Sequence, residues 1–173
     1  DCGAWKRLSS KLVSAEAVDA LVAVPRRVSA AKRLREFTVN DAQVDIAIIG
    51  AGPYGLSLAA HLRETGRSMR IFGLPMGFWA NHMPQGMCLK SEGFASSLYD
   101  PDSQFTLRAY CAQNHIAYAD VGVPVRLDLF IAYARAFQQR YVPQLEHRDI
   151  GAVARDGTGF RLTTSEGELV RAR

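Results

Sequence analysis

The chain has 173 residues, of which 48% are hydrophobic and 22% charged, and its mean hydropathy is -0.06. That composition fits one globular domain with a sizeable core and excludes a disordered tail, a fibrous repeat and a disulfide-built mini-protein. The formal charge of +4 lies wholly in residues 1–40, with eight Lys or Arg against four Asp or Glu, while the remainder balances at thirteen of each, so the domain proper has no electrostatic footprint for nucleic acid.

Residues 1–43 read as a basic helical segment, two pieces broken at Pro25, whose positions Leu12, Val13, Val18, Leu21, Val22 and Val24 form a modest apolar stripe. Arg26, Arg27, Lys32, Arg33 and Arg35 offer contacts to phosphate or an acidic membrane surface. No stacking aromatics are interleaved, so a solvated helical arm is the plainer reading. The segment lacks the continuous apolar core and cleavage site of a secretory signal. It opens on Asp rather than Met, as a fragment would. The longest uncharged apolar stretch, Ile71 to Cys88, is interrupted by Gly, Pro, Asn, His and Gln, so no integral membrane association is expected.

A second unit, residues 44–173, begins with the β-branched run Val44 to Ile49, the pattern of a strand buried on both faces. Pro53 to Glu64 has helical spacing and stops at Gly66, a natural C-terminal cap. A strand from Met69 to Phe72 completes a β–α–β unit of about 30 residues, suited to a right-handed crossover. From Gly73 onward, Gly and Pro punctuate an extended loop holding Met76, Phe78, Trp79, Met83 and Met87. Helices are expected over Gln104–Asn114 and Leu127–Tyr141, with Asp100 capping the first and Ser103 to Phe105 beginning it. Leu145 to Val153 reads as a strand. Gly159–Thr164 and Glu168–Ala172 read as an antiparallel hairpin turned at Ser165-Glu166-Gly167. Arg126 beside Asp128 reads as a structural ion pair, and His82 as a loop histidine.

Three cysteines, Cys2, Cys88 and Cys111, form no CxxC pair, which points to a reduced, cytoplasmic setting and away from dithiol–disulfide chemistry. The four histidines are dispersed without acidic or thiol partners at ligand spacing, so no metal site is expected.

Chemistry concentrates at Gly50-Ala51-Gly52-Pro53-Tyr54-Gly55, a GxGxxG run between a buried strand and a helix. Gly50 allows the tight exit from the strand, Gly52 lets a pyrophosphate approach the backbone, and Gly55 lets helix and strand pack closely. The helix N-terminus then offers free N–H groups and about half a positive charge to the phosphates. Pro53 is no obstacle, because its missing N–H falls in the first turn. At the end of the second strand, where a ribose-binding acid is usual, stands Gly73. No arginine follows it to receive a 2′-phosphate, and Arg70 lies within the strand. The insertion of about 70 residues before the next strand suits a flavin-binding domain better than a nicotinamide-binding one.

Gly50 to Gly55 with Pro53, the Trp79 loop, Gly86-Met87-Cys88-Leu89, Asp100-Pro101-Asp102-Ser103-Gln104-Phe105, and Pro124-Val125-Arg126 with Tyr133 resemble the N-terminal part of single-component flavin monooxygenases. That superfamily includes the flavin-containing and Baeyer–Villiger monooxygenases and the lysine and ornithine N-hydroxylases. The resemblance spans roughly Val44 to Arg173. It implies an α/β fold: a Rossmann-like, three-layer FAD-binding domain with a β-hairpin or meander addition, truncated at the C-terminus. It also implies FAD as cofactor, NADPH or NADH as co-substrate bound outside this chain, and molecular oxygen activated as a flavin hydroperoxide to attack a small-molecule substrate. Carried over by position, Gly50, Gly52, Pro53, Tyr54 and Gly55 hold the pyrophosphate. Gly73 stands at the ribose, Trp79, Met87, Leu89 and Ser91 pass beside the isoalloxazine, and Ile150 contacts the adenine. No residue is singled out as catalytic, because the cofactor carries the oxygen chemistry. The lysine that N-hydroxylases carry shortly before the Asp-Pro pair is missing, with Phe94 near its place, which argues against an ornithine or lysine substrate. Two other readings stay open: a non-catalytic dinucleotide-binding fragment and a non-oxygenating FAD-dependent dehydrogenase.

Overall fold

The first apolar run does not make one strand but two. In the computed structural model, which describes residues 42–173, β1 (Ala42–Val44) and β2 (Ile46–Ile49) are separated by a bend at Asp45 and belong to different sheets. The expected single strand from Val44 to Ile49 is therefore corrected. The Asp45 carboxylate accepts from both the N–H and the hydroxyl of Ser68, at 2.9 and 2.7 Å, and the Asp45 and Ile46 amides donate to the Ser68 carbonyl. Those bonds take the place of ladder bonds and turn the chain. The run is covered on both faces only in part: Ile48 joins the helix-side core and Ala47 packs on the meander side, whereas Ile49 is exposed. The helical pieces, apolar stripe and basic cluster expected before β1 lie outside the described residues.

β2 pairs in parallel with β3 (Met69–Phe72), linked by helix α1 (Pro53–Leu62) and a 3-10 turn over Arg63–Thr65. Gly66 closes that turn with φ 70°, the left-handed cap its position predicted. The strand expected over Leu145–Val153 is also divided. Glu146 makes only a parallel bridge to Phe72, exchanging bonds with the Ile71 carbonyl and the Gly73 amide, and the regular strand β4 runs later, over Ile150–Asp156. β4, β5 (Gly159–Thr164) and β6 (Leu169–Ala172) form an antiparallel meander, and β6 then pairs in parallel with β1, giving the order β1-β6-β5-β4. The hairpin expected over Gly159–Ala172 is present in this meander.

The segment expected as an extended loop holds a short helix, α2 (Gly77–His82), and a 3-10 turn at Gly93–Ala95. The next helix, α3, covers Leu107–Gln113, a later start than expected. Its cap is Thr106, whose hydroxyl accepts from the Ala109 amide. Asp100, expected as that cap, instead accepts from the amides of Asp102, Gln104 and Phe105, shaping a turn ahead of the helix. α4 spans Leu127–Tyr141 as its spacing predicts, and the Arg126–Asp128 pair closes at 2.6 Å.

Three layers result. α1, α3 and α4 cover one face of the parallel strands, with Leu56, Ile71, Leu107, Tyr133 and Phe137 fully buried between them. The meander covers the other face, where Val44, Phe72, Leu162, Val170 and Ala172 form a second cluster. Each large side chain so buried contributes about 1.5–3 kcal/mol. Among the described residues no helix is long and apolar enough to cross a membrane.

Candidate functional site

The glycine loop leaves the C-terminal end of β2 and enters α1. Each of its glycines has a different physical reason. Gly50 sits at φ 108°, a conformation L side chains rarely adopt, and its amide donates to the Phe72 carbonyl at 2.8 Å. Gly55 is required by packing, since a Cβ there would lie 2.0 Å from the Gly50 carbonyl oxygen. Gly52 is required by neither. Its backbone is ordinary extended chain (φ -80°, ψ -177°), and a Cβ there would meet nothing within 4 Å. What the missing side chain leaves open is the mouth of α1. That helix has Pro53 at its start, no side-chain cap and no acidic residue in its first turn, so neither a capping side chain nor a first-turn carboxylate offsets its first amides. Tyr54, beside them, is 91% exposed.

Gly73, at the end of β3, forms the adjoining wall. Its φ is 132°, and a Cβ there would stand 3.2 Å from the Ala51 amide nitrogen and 3.4 Å from the Gly50 Cα, so the two loops touch backbone to backbone. The Met76 amide donates to the Ala51 carbonyl at 2.9 Å, and α2 begins directly after it. Trp79 on α2 packs edge-on against Phe130 of α4, with ring centroids 5.4 Å apart. His82, expected in a loop, closes α2 and stacks on Phe78. Met87 and Leu89 belong to a separate clip: the Met87 carbonyl accepts from the Leu127 amide, and the Leu89 amide donates to the Val125 carbonyl. Ser91 bonds the buried Ser96 through their hydroxyls at 2.8 Å. Ile150 packs into the meander-side cluster. The fold thus gathers Gly50 to Gly55 with Gly73, ties Trp79 to them through α2, and sets Met87, Leu89, Ser91 and Ile150 on other segments.

Charge near the loop is already committed. Arg70, on β3, is held bidentately by Glu146 at 2.6 and 2.7 Å and by Glu168 at 2.9 Å, and Arg148 also bonds Glu168. The Glu146 carboxylate raises the Arg70 pKa, while the Arg70 guanidinium holds Glu168 below the usual carboxylate range. Arg70 therefore fastens β3 to the segment before β4 and to the β5–β6 turn. No local pattern announces this network, because the partners lie far apart along the chain. Deeper in the core, burial raises the Tyr133 phenol, whose hydroxyl donates to the Phe105 carbonyl at 2.7 Å and accepts from the Leu98 amide at 3.0 Å.

Neither a family model nor a curated protein matches the sequence. Solved structures match it in fold. A flavin-containing monooxygenase from Stenotrophomonas maltophilia superposes with a TM-score of 0.60 at 24% identity, over 76% of this chain and 37% of its own. A bacillithiol disulfide reductase from Staphylococcus aureus gives 0.60 at 20% identity, over 76% and 36%. Cyclohexanone monooxygenase from Rhodococcus sp. Phi1, bound to NADP+, gives 0.56 at 19%, over 76% and 25%. The chain spans between 25% and 37% of the length of these proteins. Its described residues carry the Rossmann-like α/β fold of one portion of these proteins.

Proposed function

We propose that the chain is the FAD-binding portion of an NAD(P)H-dependent flavin oxidoreductase, and that the whole protein is a monooxygenase acting on a small molecule with molecular oxygen. Gly52 carries the reading. It is a glycine that neither backbone nor packing requires, placed where a side chain would block an uncapped helix N-terminus. A pyrophosphate supplies the negative charge and acceptors that the open amides lack. The residues fit the cofactor: Gly50, Gly52, Pro53, Tyr54 and Gly55 border the pyrophosphate, and Gly73 gives the adenosine close access to the backbone. Trp79, tied to the loop through α2, is proposed to stand toward the isoalloxazine. For Met87, Leu89 and Ser91 beside the isoalloxazine, and Ile150 at the adenine, the support is the sequence resemblance alone, since they lie on other segments. FAD, when bound, supplies the redox and oxygen chemistry. The chain's own part is to bind it, orient it and keep water from it. In this reading the nicotinamide site lies outside residues 1–173, and residues 1–43 form a segment separate from the FAD-binding unit 44–173.

Gly52→Ser tests the carrying observation. Serine is a better N-cap than glycine and suits an extended backbone. The variant therefore keeps or raises the thermal midpoint, yet binds FAD about ten-fold or more weakly, because its hydroxyl occupies the cradle and satisfies an amide meant for phosphate. Calorimetry for FAD binding and a thermal melt read both effects. Unchanged FAD affinity in Gly52→Ser defeats the proposal. A bacillithiol disulfide reductase shares the fold with the same TM-score as a monooxygenase, so a non-oxygenating flavoprotein is the second reading. Oxygen consumption coupled to NADPH oxidation by the whole protein, with oxygen incorporated into product, separates the two.

A further inference from the structure

Met76 has a backbone conformation that its residue type disfavours. Its φ is 58° and its ψ 23°, left-handed, yet its side chain is fully buried. Among the described residues Ser103 and His115 are the other non-glycines with positive φ, and both are exposed. Such a conformation persists at a buried site only where the surroundings over-determine it. Here three constraints converge. The Met76 amide donates to the Ala51 carbonyl at 2.9 Å, its carbonyl accepts from the Ala80 amide at 2.9 Å to start α2, and its side chain enters the helix-side core with Ala51 and Leu56. Ala51 lies between Gly50 and Gly52, and its own amide nitrogen is the atom that Gly73 approaches.

We propose that Met76 is a positioning residue for the nucleotide loop: its left-handed backbone clamps Ala51, and through it the spacing of Gly50 and Gly52 across the cradle. The proposal rests on reading Gly50 to Gly55 as the FAD pyrophosphate loop. With α2 and the buried side chain held in place, a right-handed residue 76 would displace the peptide that precedes it and draw its amide off the Ala51 carbonyl.

Two variants of similar side-chain volume separate backbone from packing. Met76→Leu keeps an unbranched Cβ, whereas Met76→Ile is β-branched and resists the left-handed region. Hydrogen exchange in the nucleotide-free 173-residue chain reads the amides of Gly50, Leu56 and residue 76, all hydrogen-bonded in the loop. Exchange at these amides rises about ten-fold or more in M76I and stays within about three-fold in M76L, with α4 amides within about three-fold in both. Met76→Gly accepts the backbone while losing the side chain, so its loop exchange, scaled to α4, stays within about three-fold of wild type even where its fold is weaker. No acceleration in M76I, equal acceleration in M76L, or a loop in M76G that opens beyond α4 overturns the proposal. With FAD added, M76I loses about ten-fold in affinity and M76L stays within about three-fold, and equal affinities overturn it as well. A wild-type protein that takes no FAD defeats the proposed function instead, while the nucleotide-free exchange still decides the role of Met76.

Discussion

Single residues here divide into those the backbone needs and those the site needs. Gly55 is of the first kind: a methyl group 2.0 Å from the Gly50 carbonyl forces β2 and α1 apart. Gly55→Ala is expected to lose about 3 kcal/mol by denaturant unfolding, the upper range for overpacking, whereas Gly52→Ser loses none. Asp100 is also of the first kind. It is 1% exposed and accepts from three backbone amides at 3.0–3.2 Å, so Asp100→Ala strips the acceptor from the buried Phe105 amide and the half-buried Asp102 and Gln104 amides. A loss of about 3 kcal/mol in urea unfolding follows, and Asp100→Asn restores part of it by keeping one acceptor oxygen. The glycines were legible in the sequence because their spacing is local. Met76 was not, since its left-handed backbone comes from contacts with Ala51 and the core that no neighbouring residue announces. Asp100 was legible as a polar stop, but its acceptor pattern reaches back to hold a turn rather than forward to cap α3.

At the scale of elements, periodicity located the longer helices α1 and α4 well, missed the short α2, and located the strands less well. α4 shows its apolar face over fifteen residues and was readable throughout. The short β-branched runs were readable in type but not in pairing. Asp45 divides one run by bonding Ser68, and the run after Leu145 gives one bridge to Phe72 before joining the meander at Ile150. Such changes of sheet depend on partners distant in sequence. The charged network joining β3 to the meander has a pH signature. Glu168 sits below its ordinary value of 4.5 because Arg70 holds its charged form. A depressed carboxyl contributes stability that is fully present above 4.5 and is lost as pH falls through the lower folded value. Glu168→Gln is therefore expected to cost no more than about 1 kcal/mol at pH 7, since the group is partly solvated, and the gap to wild type closes in acid. Denaturant unfolding at pH 7 and at pH 3 checks the sign; a gap that widens in acid contradicts it.

For the whole molecule, the sequence conveyed the α/β class, the three layers and the resemblance to flavin monooxygenases, which the solved structures match in fold. It conveyed the candidate site only where residues are contiguous, at Gly50 to Gly55. Purified chain 1–173 is expected to bind FAD without sustaining NADPH oxidation, and a steady fall in absorbance of added NADPH above the free-flavin rate contradicts this. One further consequence lies in the pairing of β1 with β6, in which Ala42 meets Val170 and Val44 meets Ala172. These strands stand at opposite ends of the described chain, so their union closes a very long loop and comes late in folding. During synthesis β1 leaves the ribosome with its companion not yet made, and until β6 emerges it stays a bare ribbon.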